Sequence, residues 1–316
     1  MPASTHPATV AVVGATASGK TGLSLDLAQW LGGEVVNTDA MQVYRGMDVG
    51  TAKLPPAERR GIPHHLLDQL DVTEPATVAQ FQGWARAAID DIRGRGATPV
   101  LVGGSALYTR AILDRFEFPG TDESLRRELE ADLERVGHRA MHDRLARLDP
   151  DAAGRILADN ARRVVRALEV IALTGRPYSA SLPQLEYADP LTLQVGVDID
   201  RPALDARIDE RVRRMYDEGL VDEVERLLDL GLERGRTASR AIGYREAAAY
   251  LRGELGRADA IARTQAATRR FARRQDSWFR KDPRIVWVPY DDPHRLERTL
   301  EAVAALHPGG DRQADA

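Results

Sequence analysis

Gly14-Ala15-Thr16-Ala17-Ser18-Gly19-Lys20-Thr21 fits the pattern G-x-x-x-x-G-K-[ST], and its setting gives it weight. Ala8 to Val13 is a short β-branched run that predicts a strand. Thr21 to Leu31 carries Leu23, Leu27, Ala28 and Leu31 at helical spacing. Strand, glycine loop and helix is the context in which backbone N–H groups converge on phosphate oxygens. The helix N-terminus adds partial positive charge, Lys20 adds a full one, and the Thr21 hydroxyl can ligate Mg2+. All eight residues, Gly14 to Thr21, are therefore candidates for holding a diphosphate or polyphosphate. A chance glycine-rich turn is the alternative, and the flanking elements argue against it. The motif does not name its ligand; alone it suggests ATP and nucleotide binding.

Working outward, Glu34 to Asn37 predicts a second buried strand. Val78 to Arg93 predicts a helix between Pro75 and the stop signals Gly94 and Gly96, and Pro99 to Val102 a third strand. Strands alternating with helices imply an α/β fold of the P-loop NTPase-like type, a parallel sheet with helices on both faces. From Asp122 to Glu186 the pattern changes to helix-like runs at Glu123–Val136, His138–Leu148 and Asn160–Leu173, which predicts an all-helical insertion domain. The sheet is expected to resume at Leu193–Val197, with helices as far as Arg280, a last strand at Arg284–Pro289 and a helix at His294–Leu306. The expected division is a first core part over residues 1–121, an insertion over 122–186, a mostly helical second core part over 187–307, and a disordered tail over 308–316.

Hydrophobic residues make up 43% and charged residues 29%, a balance that suits a soluble globular protein. No run is long enough to span a membrane and Met1 to Pro7 lacks a basic start, so a cytoplasmic location without membrane contact is expected. Cysteine is absent, which excludes disulfides, thiolate nucleophiles and cysteine-ligated metal centres. A net charge of −4 argues on its face against a nucleic-acid partner. The average hides a distribution: Arg257 to Arg284 holds nine basic residues against three acidic ones, so a basic face on an acidic protein is compatible with the total.

Two further stretches point at the crevice of an open α/β sheet. Asn37-Thr38-Asp39 ends a strand, which places Asp39 at the carboxyl edge, where it could be a general base, an outer-shell magnesium ligand or a cap for the following turn. Gly103-Gly104-Ser105 ends another strand and suits close backbone approach to a ligand, or equally a strand-to-helix turn with Ser105 as N-cap.

The segment Asp39-Ala40-Met41-Gln42-Val43-Tyr44-Arg45-Gly46-Met47-Asp48-Val49-Gly50-Thr51-Ala52-Lys53, together with Gly14–Thr21, resembles the tRNA dimethylallyltransferases, also called tRNA isopentenyltransferases or the IPP transferase family. Similar to that family in the same order are Pro63 to Asp68, Leu101 to Tyr108, Arg162 to Val170 and Arg240 to Glu246. The resemblance implies a loop that holds dimethylallyl diphosphate with magnesium on Thr21, and transfer of the five-carbon group to N6 of adenosine 37 in the anticodon stem-loop of tRNAs that read codons beginning with U. It implies Asp39, Arg211 and Thr16 as catalytic residues. It places the tRNA contacts on Asp39, Ala40, Met41, Gln42, Ser105, Arg126, on Arg162, Arg163, Val164, Val165 and Arg166, and on Arg240, Ala241, Ile242, Gly243, Tyr244 and Arg245. It also implies a cytoplasmic enzyme acting as a monomer. Without it, Arg162, Arg163 and Arg166 would be read as a solvated helix face. Arg269, Arg270, Arg273 and Arg274 make a one-sided basic face that suits an RNA backbone.

The chain departs from the family pattern at Ala40, where a serine is common, and at Ser105, where a threonine is common. Ala40 removes a hydroxyl from the site; Ser105 keeps one. The competing expectations are a small-molecule kinase, a prenyltransferase for free adenine nucleotides, and a P-loop regulator without chemistry. The first two need no helical insertion to grip RNA, and the third does not need Asp39, Arg211 and the later blocks together.

Overall fold

The computed structural model describes residues 7–115, 118–179 and 185–306. The tail expected at Pro308 to Ala316 lies outside them. In chain order the elements are β1 (Thr9–Val13), α1 (Lys20–Trp30), β2 (Gly33–Asn37), β3 (His64–His65), α2 (Val78–Gly94), β4 (Thr98–Gly103), α3 (Ala106–Leu113), α4 (Glu123–Leu148), α5 (Pro150–Arg155), α6 (Ala161–Thr174), β5 (Thr192–Asp198), α7 (Arg201–Asp217), α8 (Leu220–Asp229), α9 (Tyr244–Leu251), α10 (Arg257–Phe279), β6 (Ile285–Pro289) and α11 (Arg295–Ala304).

The chain divides into two compact units, Asp114–Ala188 and the remainder. The larger unit is built on one six-stranded sheet of order β3-β2-β4-β1-β5-β6 in which every pairing is parallel. β1 is buried along its whole length, as a strand of β-branched residues covered on both faces should be. It is held between Val100–Gly103 of β4 and Thr192–Gly196 of β5. Leu23, Leu27 and Ala28 of α1 close over Val10, Val12, Val35, Val100 and Val195 to form the central core. One edge feature escaped the sequence: β3 spans only two residues, too short for a period-2 signal. α3 begins directly after Ser105, as the strand-to-helix alternative for Gly103-Gly104-Ser105 has it.

The smaller unit holds α4, α5 and α6. The chain enters and leaves it through the antiparallel bridge Asp114–Tyr187 and the bond from Arg115 N–H to Glu186 O at 2.8 Å, which is why it extends beyond the helical stretch itself. Gly137 departs from helical geometry inside α4, so that element is two helices meeting at a kink. Leu129, Met141, Leu145, Ile156, Val164, Val165 and Leu168 form a separate core. Beside it Glu169, with no exposed surface, accepts from Arg126 at 2.8 Å, Arg166 at 2.9 Å and Asp122 N–H at 3.1 Å. Burial pushes its carboxyl up, but the hydrogen bonds from Arg126 and Arg166 outweigh that and hold it below the usual range.

A depressed folded-state pKa means stability that is present above the unfolded value and lost as pH falls through the folded one. Glu169→Ala is expected to cost this unit roughly 3 kcal/mol at neutral pH, since it strands two partly buried guanidinium groups. In urea titrations the gap from wild type should narrow below about pH 4; a gap that persists there would mean that lost packing, and not charge, dominates.

Candidate active site

Because the sheet is parallel, the carboxyl ends of β2, β4, β1 and β5 lie side by side along one edge. The segments that follow them are Thr38-Asp39, Gly104-Ser105, Gly14–Thr21 and the lead into α7, so strand order alone gathers these at one crevice, whereas Arg240 to Arg245, between α8 and α9, follow no strand.

The glycine loop turns at Gly14 with φ 137° and at Gly19 with φ 101°, conformations that side chains rarely adopt, and between them Ala17 sits at φ 64°. Lys20 Nζ donates to Ala15 O at 2.6 Å, which folds its side chain back over the loop. α1 starts at Lys20 without a side-chain cap, so the N–H groups of its first turn are left for an external acceptor. Ser18 Oγ and Thr38 Oγ1 are buried with no hydrogen-bond partner, two further donors at the same edge. From the other side α7 presents Arg207, Arg211 and Arg214 at helical spacing. A cleft of about 400 Å³ lies between them and Ala17. Arg207 Nε donates to Ala17 O at 2.9 Å, and Arg211 Nη1 reaches Thr16 Oγ1 at 3.4 Å.

The electrostatics is that of a site built for an anion. Burial, and then the charge of Arg211, push the Lys20 ammonium down to about 7, with Asp39 acting in the opposite direction. Burial likewise pushes the Asp39 carboxyl up, against the Met41 N–H bond and the Lys20 charge. Arg211 is lowered by burial and then by Arg214 and Arg207. Like charges so close repel one another, and a bound diphosphate would offset that repulsion with its own negative charge.

Asp39 does cap the turn that follows: Oδ1 accepts from Met41 N–H at 2.9 Å, while Asn37 holds its backbone on both sides, through Asp39 N–H at 2.8 Å and Asp39 O at 3.0 Å. The Gln42 N–H adds a second backbone bond to the same carboxyl. Gln42 Nε2 donates to Thr51 O at 3.1 Å, so this side chain ties the turn to the next loop. Ser105 stands at the start of α3, where its Oγ is 3.5 Å from Tyr108 N, a weak cap that leaves the hydroxyl largely available.

The remaining expected contacts divide by burial. Arg240 and Arg245 are exposed, as are Arg162 and Arg163, which have no ion pair among the described residues. Val164, Val165, Ala241 and Tyr244 are buried and Gly243 has no side chain to offer, so side-chain contact with a tRNA is not open to these five and any contact from them is limited to backbone. Arg126 and Arg166 are partly committed to Glu169. The basic face of α10 also splits: Arg269 pairs with Asp209 and Arg273 lies 3.5 Å from Asp205, leaving Arg270 and Arg274 outward.

Tyr244 shows why two distant blocks occur together. Glu223, 1% exposed, accepts from Asp48 N–H at 3.0 Å, Val49 N–H at 2.7 Å, Gly50 N–H at 3.1 Å and Tyr244 OH at 2.7 Å. A carboxylate of α8 thus fills an anion-binding nest of the loop behind Gln42, and Lys53 Nζ closes that loop onto Asp48 and Asp68, each at 2.6 Å. Glu223, Arg207 and Gln275, the last bonded to both Thr16 and Gly104, were not singled out by the sequence reading. The one available signal for Gln275 was a polar residue on the buried stripe of α10, between Ala272 and Phe279.

Among the described residues no group of three or more His, Cys, Asp or Glu could hold a metal ion. Thr21 offers one exposed hydroxyl at the start of α1. That donor set fits a magnesium ion carried mainly by phosphate oxygens and water, and does not fit an all-protein cage.

A family model described as IPP transferase matches residues 42–282. A tRNA dimethylallyltransferase of Nocardioides sp. is 71% identical over 300 residues, covering 95% of this chain and 97% of its own. One from Rhodococcus jostii is 53% identical over 308 residues, 98% of this chain and 100% of its own. Among solved structures, the full-length tRNA isopentenylpyrophosphate transferase of Bacillus halodurans is 41% identical with a TM-score of 0.69, over 95% of this chain and 96% of its own. A eukaryotic dimethylallyltransferase acting on tRNA is 29% identical with a TM-score of 0.81, over 94% of this chain and 78% of its own.

A lysine whose free-state pKa lies near 7 should regain its proton when an anion binds. Calorimetric titration with inorganic diphosphate at pH 8, in buffers of different ionisation enthalpy, is expected to show wild type taking up more protons than Lys20→Met, by a sizeable fraction of one. Equal uptake by the two proteins would refute the assignment.

Proposed function

The chain belongs to the IPP transferase family, the tRNA dimethylallyltransferases, and on that premise we propose that it moves the dimethylallyl group of dimethylallyl diphosphate to N6 of adenosine 37 in tRNAs reading codons that begin with U. It is a prenyl-transferring enzyme of tRNA modification. The observation that supports the chemistry is the meeting of three charges at one sheet edge: Lys20 senses both the positive Arg211 and the negative Asp39.

In this reading the loop from Gly14 to Thr21 holds the diphosphate, with Lys20 and Arg211 facing its charge and Thr16 bridging the loop to Arg211. Magnesium on Thr21 would neutralise phosphate charge and so favour departure of the leaving group. The adenine amine attacks C1 of the allylic group as the C1–O bond breaks. The nitrogen becomes positively charged on forming the C–N bond and passes its extra proton to Asp39, and diphosphate departs. The Asp39 carboxylate suits the base, because burial raises its basicity toward working pH against the bonds from Met41 and Gln42 N–H. Lys20, Arg211 and the N–H groups of α1 take the charge that develops on the diphosphate.

Adenosine 37 lies in a stacked loop, so it must be unstacked to reach Asp39. We assign the acceptor side of the crevice to Asp39, Ala40, Met41, Gln42 and Ser105. Arg126, Arg162, Arg163 and Arg166 on the smaller unit, with Arg240 and Arg245 on the larger, grip the surrounding stem-loop. The backbone of Val164, Val165, Ala241, Ile242, Gly243 and Tyr244 holds those arginines in place.

Incubating the protein with magnesium, labelled dimethylallyl diphosphate and an unmodified tRNA containing A36-A37-A38 should give prenylated adenosine on nucleoside analysis. Label on free AMP, or phosphate moved from ATP, would instead assign a nucleotide prenyltransferase or a kinase. Asp39→Asn keeps the cap on Met41 N–H while removing the base, so kcat should fall by about 10²- to 10⁴-fold with tRNA affinity close to wild type. Asp39→Ala loses the cap as well and should weaken both. A near-normal rate in Asp39→Asn would rule out the proton-accepting role. The rate needs Asp39 ionised, so activity should fall on the acid side at a pH above the ordinary aspartate value of about 3.9.

A further inference from the structure

Gln275 is only 6% exposed on α10, and both ends of its carboxamide are engaged. Oε1 accepts from Thr16 N–H at 2.9 Å and Nε2 donates to Gly104 O at 2.7 Å. The fit is close, for a Cβ on Gly104 would stand 2.2 Å from Nε2. One side chain thus joins the diphosphate loop after β1 to the turn after β4, whose next residue is Ser105. We propose that Gln275 is a positioning residue for prenyl transfer, setting the spacing between the loop that holds the leaving group and the turn on the acceptor side. The proposal rests on the prenyl-transfer reading above.

Thr16 N–H, turned to Gln275, is withdrawn from the phosphate cradle. What it provides instead is a fixed peptide, which orients the Thr16 hydroxyl toward Arg211 at 3.4 Å. One residue further, Ala17 O is held by Arg207 at 2.9 Å. The Ala15–Thr16 and Ala17–Ser18 peptides at the crown of the loop are therefore pinned, from α10 and from α7, on either side of the one between them. The β1–β4 pairing runs only as far as Val13 and Gly103, and beyond it the Gln275 amide links this crown to the Gly104 turn. In a displacement the nucleophile, C1 and the departing oxygen must align at about 3 to 3.5 Å, and a misplacement near 1 Å costs on the order of 100-fold. A bridge between the two sides therefore acts on turnover more than on the binding of either substrate.

The test compares wild type, Gln275→Met, Gln275→Glu, Gly104→Ala and the double variant Gln275→Met/Gly104→Ala, by steady-state prenyl transfer and by titration with inorganic diphosphate. Gln275→Met keeps the volume and loses both bonds; kcat should drop by about 10- to 100-fold while both KM values and the diphosphate Kd stay within about threefold. Gln275→Glu keeps the acceptor for Thr16 and should fall between. Gly104→Ala expels the same amide, so the double variant should be no slower than the slower single one. Additive losses, a wild-type kcat in Gln275→Met, or equal losses in kcat and diphosphate affinity would overturn the proposal. If Gln275→Met does not fold, Gln275→Glu and Gly104→Ala decide the matter by the same split between kcat and Kd. A wild-type protein that binds diphosphate yet prenylates no tRNA would remove the underlying reading and the proposal together, a different result from wild-type turnover in the Gln275 variants.

Discussion

β1 can occupy only the middle of the sheet. Its five residues are buried on both faces and parallel neighbours claim both of its edges, so the chain must leave it at the carboxyl end into the Gly14 turn. Every other part of the site inherits that constraint. β4 and β5 flank it and β2 lies beyond β4, so the segments carrying Ser105, Asp39 and the arginines of α7 emerge at the same edge, although they are far apart in the chain.

The crevice so formed is under electrostatic tension. Lys20 and Arg211 repel, Arg207 and Arg214 add to the field along α7, and Asp39 is the carboxylate whose charge Lys20 senses. A core would not tolerate this arrangement for stability alone, because like charges at helical spacing cost energy. It is stable because the backbone beneath it is held by side-chain hydrogen bonds: Gln275 and Arg207 fix the crown of the loop, Asn37 fixes Asp39, and Glu223 fixes the loop behind Gln42. The scaffold carries the order, and the charges are left free to answer a ligand.

The arginines follow a different logic in the two units. On α4 and α6, Arg126 and Arg166 compensate one buried carboxylate, Glu169, and so serve the smaller unit's own stability while Arg162 and Arg163 stay exposed. On α10, Arg269 is spent on α7 and Arg270 remains outward. An arginine count overstates the surface available to RNA, because part of the positive charge is already neutralised inside the fold.

The sequence by itself determined the α/β class, the strand-loop-helix around Gly14–Thr21, the position of Asp39 at a strand end and the helical character of the stretch after Asp122. Each of these rests on a local period or a local backbone requirement, and local signals survive in a linear string. The family resemblance, carried by motifs such as Asp39 to Lys53, added the substrate. Only the tertiary structure decided which members of those motifs face solvent: Tyr244 proved to be a buried partner of Glu223, and Val164 and Val165 core residues. Only it could reveal what Gln275 holds: its place on the buried stripe of α10 is a local pattern, but its bond to Thr16 spans 259 positions of chain, and a partner set by tertiary packing leaves no trace in the sequence around either residue.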